Sequence, residues 1–331
     1  MPPTIRARPD ASLSARIVRS LPLLYAEGAD AALDRPAYVR SASGITRIAG
    51  VIAVVQDDAN FVAVVDAATG LARAITLPAG EGGVRQFDDL RGNKRFKLDL
   101  ESCVTVDDDD GREMLLAFGS GSLPARERIV LVRGVDSDDP DARVIDASAL
   151  YARFHAAPEF SGSELNVEGA AVVDGTLCLF NRGNGAARDS LVPVNASCDL
   201  DLAALLAWLR DPSSTPPPLR DIVQYDLGAI DGVPLTITDA ATLGTSVLYA
   251  AAAEESPDAT RDGPVAGCAI GIIAGDSARY CEVGAIDGGA YRGKIEGILP
   301  IAPGRLLAVV DPDDPRVPSS LLEIAIGGGW A

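Results

Sequence analysis

Along this chain the apolar and small residues fall into short runs, such as GVIAVVQ, EMLLAF, RIVLV and SVLYAAAA. Each is closed within a few residues by a turn signal: AG, DDDDG, GSGS, DG or PG. Runs of this length, rich in Val, Ile and Ala and punctuated by Gly, Asp and Pro, predict β-strands joined by tight turns. Five segments repeat one order: a small or acidic residue, an apolar strand, a turn, a second apolar strand and a polar cluster. They are SGITRIAGVIAVVQDD from Ser43, ESCVTVDDDDGREMLLAFGSGS from Glu101, EGAAVVDGTLCLFNRGN from Glu168, TDAATLGTSVLYAAAAEES from Thr238 and EGILPIAPGRLLAVVDPDD from Glu296. The starts lie 58, 67, 70 and 58 residues apart. That spacing is too long for a typical solenoid repeat and suits a four-stranded propeller blade with variable loops.

FVAVVD, RIVLVR, SLVPV, CAIGII and LLEIAI supply a third strand for each unit. ARAITLP, ARVIDAS, DIVQYDL and ARYCEV supply a fourth for the first four. The fifth unit ends at IAIGGGWA without an outer strand, and ARIVRSLPLL near the N-terminus has no other place, so it is expected to complete that unit and leave no edge open. The prediction is an all-β fold in a single domain, a five-bladed β-propeller closed by an N-terminal strand at 15–24. The blades fall at about 43–80, 99–150, 166–229, 232–285 and 294–328. A six-bladed ring is the alternative. LDLAALLAWLRD (200–211) has helical spacing and is expected as an insertion between the third and fourth strands of the third blade, with Trp208 as a packing anchor.

Composition narrows the functional classes. The formal net charge of −18 argues against nucleic acid and anionic membrane as partners. No apolar run approaches the roughly 18 residues that span a bilayer. MPPTIRARPDASLSARIVRSLPLL lacks the continuous apolar stretch of a signal peptide, so the cytoplasm is the expected compartment and a small molecule the expected partner. Cys103, Cys178, Cys198, Cys268 and Cys281 form no CxxC pair and sit mostly in apolar strands, which predicts buried thiols rather than zinc or redox chemistry.

In a propeller the first strand of every blade lines the central channel. Aligning the units on their first turns puts Ser43, Glu101, Glu168, Thr238 and Glu296 at one level. Three carboxylates and two hydroxyls facing one another in a narrow channel repel unless protonated or metal-bound. Five oxygen groups plus water, with no histidine or cysteine at that level, suit Ca2+ better than magnesium, zinc or copper. The alternative is that each residue hydrogen-bonds backbone amides at its strand start.

The loops after the second strands open on the same face. Asp57, Asp58 and Glu254 are candidate general bases, and Lys97, Arg126, Asn181, Arg182 and Lys294 are candidates for holding an anionic substrate. The one histidine, His155, lies in the loop-like YARFHAAPEF, which removes support for a Ser-His-Asp site. FGSGSLPARER lacks the GK[ST] ending of a P-loop. VDDDDG does not match the EF-hand spacing and reads as a solvated hairpin turn.

The order Ser, Glu, Glu, Thr, Glu over five units resembles the calcium-activated nucleotidases (apyrases), five-bladed propellers with a central calcium held by comparable groups. DLES, NVEGA, IDGVPLTITD, KIEG, FGSGS and NRGN resemble a bacterial propeller family of unknown function over most of the chain. Esterase-like phytases and strictosidine-synthase-like propellers share the EG pair at strand starts. The match to the family of unknown function brings no established activity; the ring and the polar face lead to the expectation of a calcium-dependent hydrolase of a small phosphoester, ester or lactone. A non-catalytic binding or scaffold propeller with structural calcium, or a calcium-assisted lyase or isomerase, are the alternatives.

Overall fold

The computed structural model describes residues 2–256 and 263–330, and the apolar runs are its strands. Three strands come first: β1 (Thr4–Pro9), β2 (Ser14–Pro22) and β3 (Leu24–Tyr25). An antiparallel meander follows, β4 (Ala42–Ile48), β5 (Val51–Gln56), β6 (Phe61–Val65) and β7 (Leu71–Thr76). The next is β8 (Leu100–Asp107), β9 (Glu113–Gly119), β10 (Arg128–Arg133) and β11 (Asp141–Asp146). Helices α1 (Ser148–His155) and α2 (Pro158–Ser161) lead into β12 (Val167–Val173), β13 (Thr176–Asn181), β14 (Asn195–Asp201) and β15 (Arg220–Asp226), with α3 (Leu202–Arg210) between the last two. After the short β16 (Ala229–Ile230) come β17 (Val233–Leu243), β18 (Ser246–Glu254), β19 (Val265–Ala274) and β20 (Ser277–Gly284). The last meander is β21 (Gly297–Ala302), β22 (Arg305–Val310) and β23 (Ser320–Gly327). Its outer edge takes β2 antiparallel, with Ala15 opposite Ile326 and Leu21 opposite Leu321.

The turns follow from the sequence. Ala49-Gly50, Asp174-Gly175 and Asp231-Gly232 each place two residues at positive φ (49°/80°, 48°/76°, 52°/86°). That is the primed turn whose twist matches the strands it joins.

Apolar layers separate neighbouring sheets. Val55 and Val62 meet Leu115 and Val130, and Leu116 and Ile129 meet Leu177 and Leu179, with Trp208 of α3 in the same layer. Phe180 and Tyr225 meet Ile237 and Tyr249, and Leu248 and Ile270 meet Leu306 and Ile324. Leu307 and Leu321 of the last sheet then meet Val54 and Val65 of the first. With a sheet on either side, both faces of a strand such as β5 are buried, which is why such runs are continuously apolar rather than alternating. The first strands contact one another in turn: β4 with β8, β8 with β12, β12 with β17, β17 with β21 and β21 with β4. They surround a common axis in an all-β, propeller-like arrangement.

The N-terminal strands lie on outer edges. β1 runs parallel to β15 (Ile5 opposite Tyr225) and to β20 (Arg8 opposite Arg279), and β3 runs parallel to β7 (Leu24 opposite Leu71). Among the described outer strands, β11 pairs only with β10 and has no strand on its outer side.

Two readings need correction. SLVPV is not a strand: Pro193 has no amide hydrogen to give a ladder, and the third strand of that meander is NASCDLD. YARFHAAPEF is not a loop. Leu150, Tyr151 and Phe154 share a buried face of α1 and pack with Phe160 of α2, while half-exposed His155 lies 3.3 Å from Glu127. Among the described residues no helix is long and apolar enough to cross a membrane. All five cysteines are free.

Candidate functional site

Side chains reach the axis because the first strands are bulged. Pairing slips between Ala42 and Gly44, Leu100 and Ser102, Val167 and Gly169, and Ile237 and Asp239, so Ser43, Glu101, Glu168 and Thr238 are each the extra residue of a β-bulge. A bulge turns its extra side chain out of the regular alternation. Glu296 stands just before β21, its amide bonded to Val309 O at 2.9 Å. The glycines that follow allow the strands to approach. A Cβ on Gly169 would lie 3.0 Å from Ala240 Cβ, and one on Gly297 would lie 3.1 Å from Gly44 Cα.

These positions line a cavity with about 60 Å³ open to water centres, room for about four waters. Ser43, Glu101, Glu168 and Glu296 face it together with Asp57, Asp99, Lys97, Arg126, Arg182 and Lys294. Thr238 does not. Its hydroxyl donates to Ile295 O at 2.6 Å, and Ser43 Oγ likewise donates to Leu100 O. Each hydroxyl ties its strand to the residue before the next meander's glutamate.

The charges form two halves. In the first, Lys97 Nζ contacts Asp57, Asp58 (3.0 Å) and Asp99 (2.7 Å). Arg126 Nη1 holds Asp99 at 3.0 Å, and Arg40 bridges Asp58 (3.4 Å) and Asp88 (3.0 Å). In the second, Arg182 donates Nε to Thr236 Oγ1 (3.1 Å), Nη1 to Glu168 (3.2 Å) and Nη2 to Glu254. Lys294 lies 2.9 Å from Glu296 and 3.7 Å from Glu254, and Asn166 Nδ2 donates to Glu168 at 2.7 Å. Glu168 therefore has an internal guanidinium and an amide as partners.

The halves differ in balance. Burial pushes the Asp57 carboxyl well up, and Asp58 and Asp99 add to this against Lys97. Burial also raises Glu101 well above the carboxylate range, with Asp57, Asp99 and Glu168 repelling its charge. For Asp99 burial is overcome by Lys97 and Arg126, which hold it low. Glu296 is pushed up to about 8, by burial first. Asp57, Asp99 and Glu101 each offer an oxygen within 4.8 Å of the others. This all-oxygen set of excess negative charge fits a hard divalent cation.

A second chamber of about 450 Å³ adjoins the cavity and shares Ser41, Asp57, Lys94, Asp311 and Asp313 with it. Asp58, Asp88, Asp89 and Asp314 also line it, against Arg40, Lys94 and Arg316. Asp311 is pushed up to about 7, by burial and then by Asp313 and Asp58.

The candidates proposed from the sequence thus have distinct places. Asp57 lies at the junction of the two chambers. Asp58 holds Lys97 and Arg40, and Glu254, with its side chain 1% exposed, holds Arg182. Asn181 is used within its own loop: its amide donates to Val194 O at 2.9 Å and its oxygen accepts from the Asn166 amide. Asp99 was not singled out, although KLDLES carried it two residues before Glu101 and two after Lys97. Asp311 stood in the DPDD cluster after a second strand and Asn166 opened NVEGA, but neither was given a role, and Arg40 had no distinguishing signal in the sequence.

Residues 38–326 match a family described as "Family of unknown function (DUF6929)". No curated protein matches the sequence. Among solved structures, the glutaminyl cyclase of Myxococcus xanthus is similar at 11% identity, covering 99% of each chain, with a TM-score of 0.47. An α-L-arabinofuranosidase from Podospora anserina, solved with cellotriose, is similar at 12% identity over 96% of this chain and 98% of its own, TM-score 0.46. The GH93 α-L-arabinofuranosidase of Fusarium graminearum, solved with arabinobiose, shows 8% identity over 93% of this chain and 98% of its own, TM-score 0.43. Likeness this weak carries no information about reaction or substrate.

Proposed function

The chain belongs to this family of unknown function, and from that premise we propose a calcium-dependent hydrolase of a small phosphoester, ester or lactone, acting at the mouth of a five-bladed propeller. The five meanders are read as its blades and β2 as the strand that completes the fifth. The pairing of β2 with β23 and the packing of the last sheet on the first support this.

One observation carries the reaction: the convergence of Asp57, Asp99 and Glu101, with more negative charge than Lys97 and Arg126 neutralise. A divalent cation on these oxygens would polarise a substrate oxygen and acidify water. The metal ligands are thus moved from the five-membered ring to one side of it. Asp57, reached from both chambers, takes the proton from the attacking water, and the alcohol leaves protonated. Lys97 fixes Asp57 and Asp99 in place and is itself held by Asp58. Arg182 and Lys294 keep the facing carboxylates paired, so the cavity tolerates an anionic group.

A second reading is favoured by that facing half, in which Glu168, Glu254 and Glu296 are all paired with internal cations. A binding or scaffold propeller would have the same closed network. Turnover decides. Aryl phosphates, aryl acetates and lactones are offered with calcium or with chelator, to the parent and to Asp57→Asn. Calcium-dependent hydrolysis lost in the variant supports the hydrolase. Calcium binding without turnover of any substrate leaves the scaffold.

A further inference from the structure

Two buried cations of the central cavity have their donors used, while a third keeps one free to face it. Arg182 has given Nε and both terminal nitrogens to Thr236, Glu168 and Glu254, and Lys97 faces three carboxylates. Arg126 is 5% exposed, lines the cavity and gives only Nη1, to Asp99 Oδ2 at 3.0 Å and Ser122 Oγ at 2.8 Å. Its Nε is sealed from water with no acceptor, and Nη2 bonds no described residue. A buried guanidinium donor is normally satisfied. Here Nε is closed off even from water, and Nη2 is the guanidinium donor left for an oxygen in the cavity.

We propose that Arg126, through Nη2, is an anion subsite beside Asp57, Asp99 and Glu101, and that its ligand carries an oxyanion head on a cationic body. The inner cavity admits a carboxylate or phosphoryl head and little more. The rest of the ligand has to lie in the adjoining chamber, where the aspartates outnumber Arg40, Lys94 and Arg316. A cleft of one sign concentrates ligands of the other. Lys94 lines both chambers without an ion pair among the described residues, placing a second positive charge at the neck. As the substrate class of the proposed hydrolase this inference rests on that reading; as a binding site it does not.

The test is calorimetric titration of the full-length protein with phosphocholine, methyl phosphate, glycine betaine and acetate, each with calcium and with chelator. The two cationic probes should bind about tenfold tighter than their neutral-bodied counterparts with the same head, and the better pair tells phosphoryl from carboxylate. Arg126→Lys keeps the charge without the guanidinium Nη2 and should weaken binding by about tenfold, with its melting temperature recorded alongside. Should that variant not fold, Lys94→Gln at the neck should weaken binding by about threefold. Unchanged affinity in a folded Arg126→Lys protein, or equal binding of phosphocholine and methyl phosphate, would overturn the proposal. Calcium binding with no effect of Arg126→Lys sinks this inference and leaves the metal site standing. Binding that depends on Arg126 without any calcium affinity supports it and removes the metal.

Discussion

Replacing Arg182 tests the account of the cavity most severely. Its guanidinium bridges two meanders, holding Glu168 from β12 and Glu254 from β18, whose side chains are 6% and 1% exposed. Arg182→Gln leaves those carboxylates buried without their main cation, a change that costs about 3–5 kcal/mol in comparable networks. With an unfolding entropy of about 2.1 cal/mol/K per residue, a chain of 331 residues converts that loss into a fall in Tm of about 4–7 °C. The sign with pH is fixed. Burial already raises Glu168, and a carboxyl raised in the folded state contributes stability below its unfolded pKa and loses it as pH rises through the folded one. Without Arg182 the raising is greater, so the deficit should be larger at pH 8 than at pH 5. Adding Glu168→Gln should recover part of it, since the two residues share one network. Scanning calorimetry at both pH values measures this. A fall below about 1 °C at pH 8, or one independent of pH, would refute the buried-pair account.

Other consequences can be measured directly. Calcium at a thousand times its dissociation constant should stabilise chelator-stripped protein by about 4 kcal/mol, with Asp57→Asn or Glu101→Gln abolishing the shift; a shift retained in both variants removes the proposed ligands. Glu296, raised to about 8, contributes stability below about pH 4.5 that is lost as pH rises through 8, so Glu296→Gln should flatten the fall in Tm between pH 6 and 9. Gly169→Ala puts a Cβ 3.0 Å from Ala240 Cβ and should cost about 1–3 kcal/mol by overpacking, read from urea midpoints. Ile17→Ala empties a site 3% exposed on β2 and should cost about 2–5 kcal/mol; a neutral result would mean β2 adds little to the last sheet.

The strands were legible because each sheet is covered on both sides, so a run such as FVAVV or RIVLV is apolar throughout and bounded by turn residues. NASCDLD was missed because its alternating Asn, Ser and Asp are weaker strand signals than the apolar SLVPV beside it. The aromatic face of α1 was missed for its shortness and for the alanines around His155. In the cavity, the residues at the strand starts were visible through their repetition. Their pairings were not: Arg182, read as a cation for substrate, and Asn166 come from loops, where one sequence gives no register, and nothing in the order of residues says that Lys97 points at Asp57. Charge pairing across sheets is a property of the assembled axis, which explains why the sequence pointed to a metal at Glu168, where Arg182 is the partner.

The position of β2 has a consequence for how the molecule is made. Residues 14–22 are made well before their partner, Ser320–Gly327. At about 5–20 residues per second, roughly 15–60 s separate the two. β1 likewise waits for β15 and β20. Throughout synthesis β1 and β2 stay unpaired until strands far along the chain have been made, and pairing across that separation is slow. The nascent chain's exposure to edge-to-edge association is greatest on the polysome, where identical unfinished chains lie side by side.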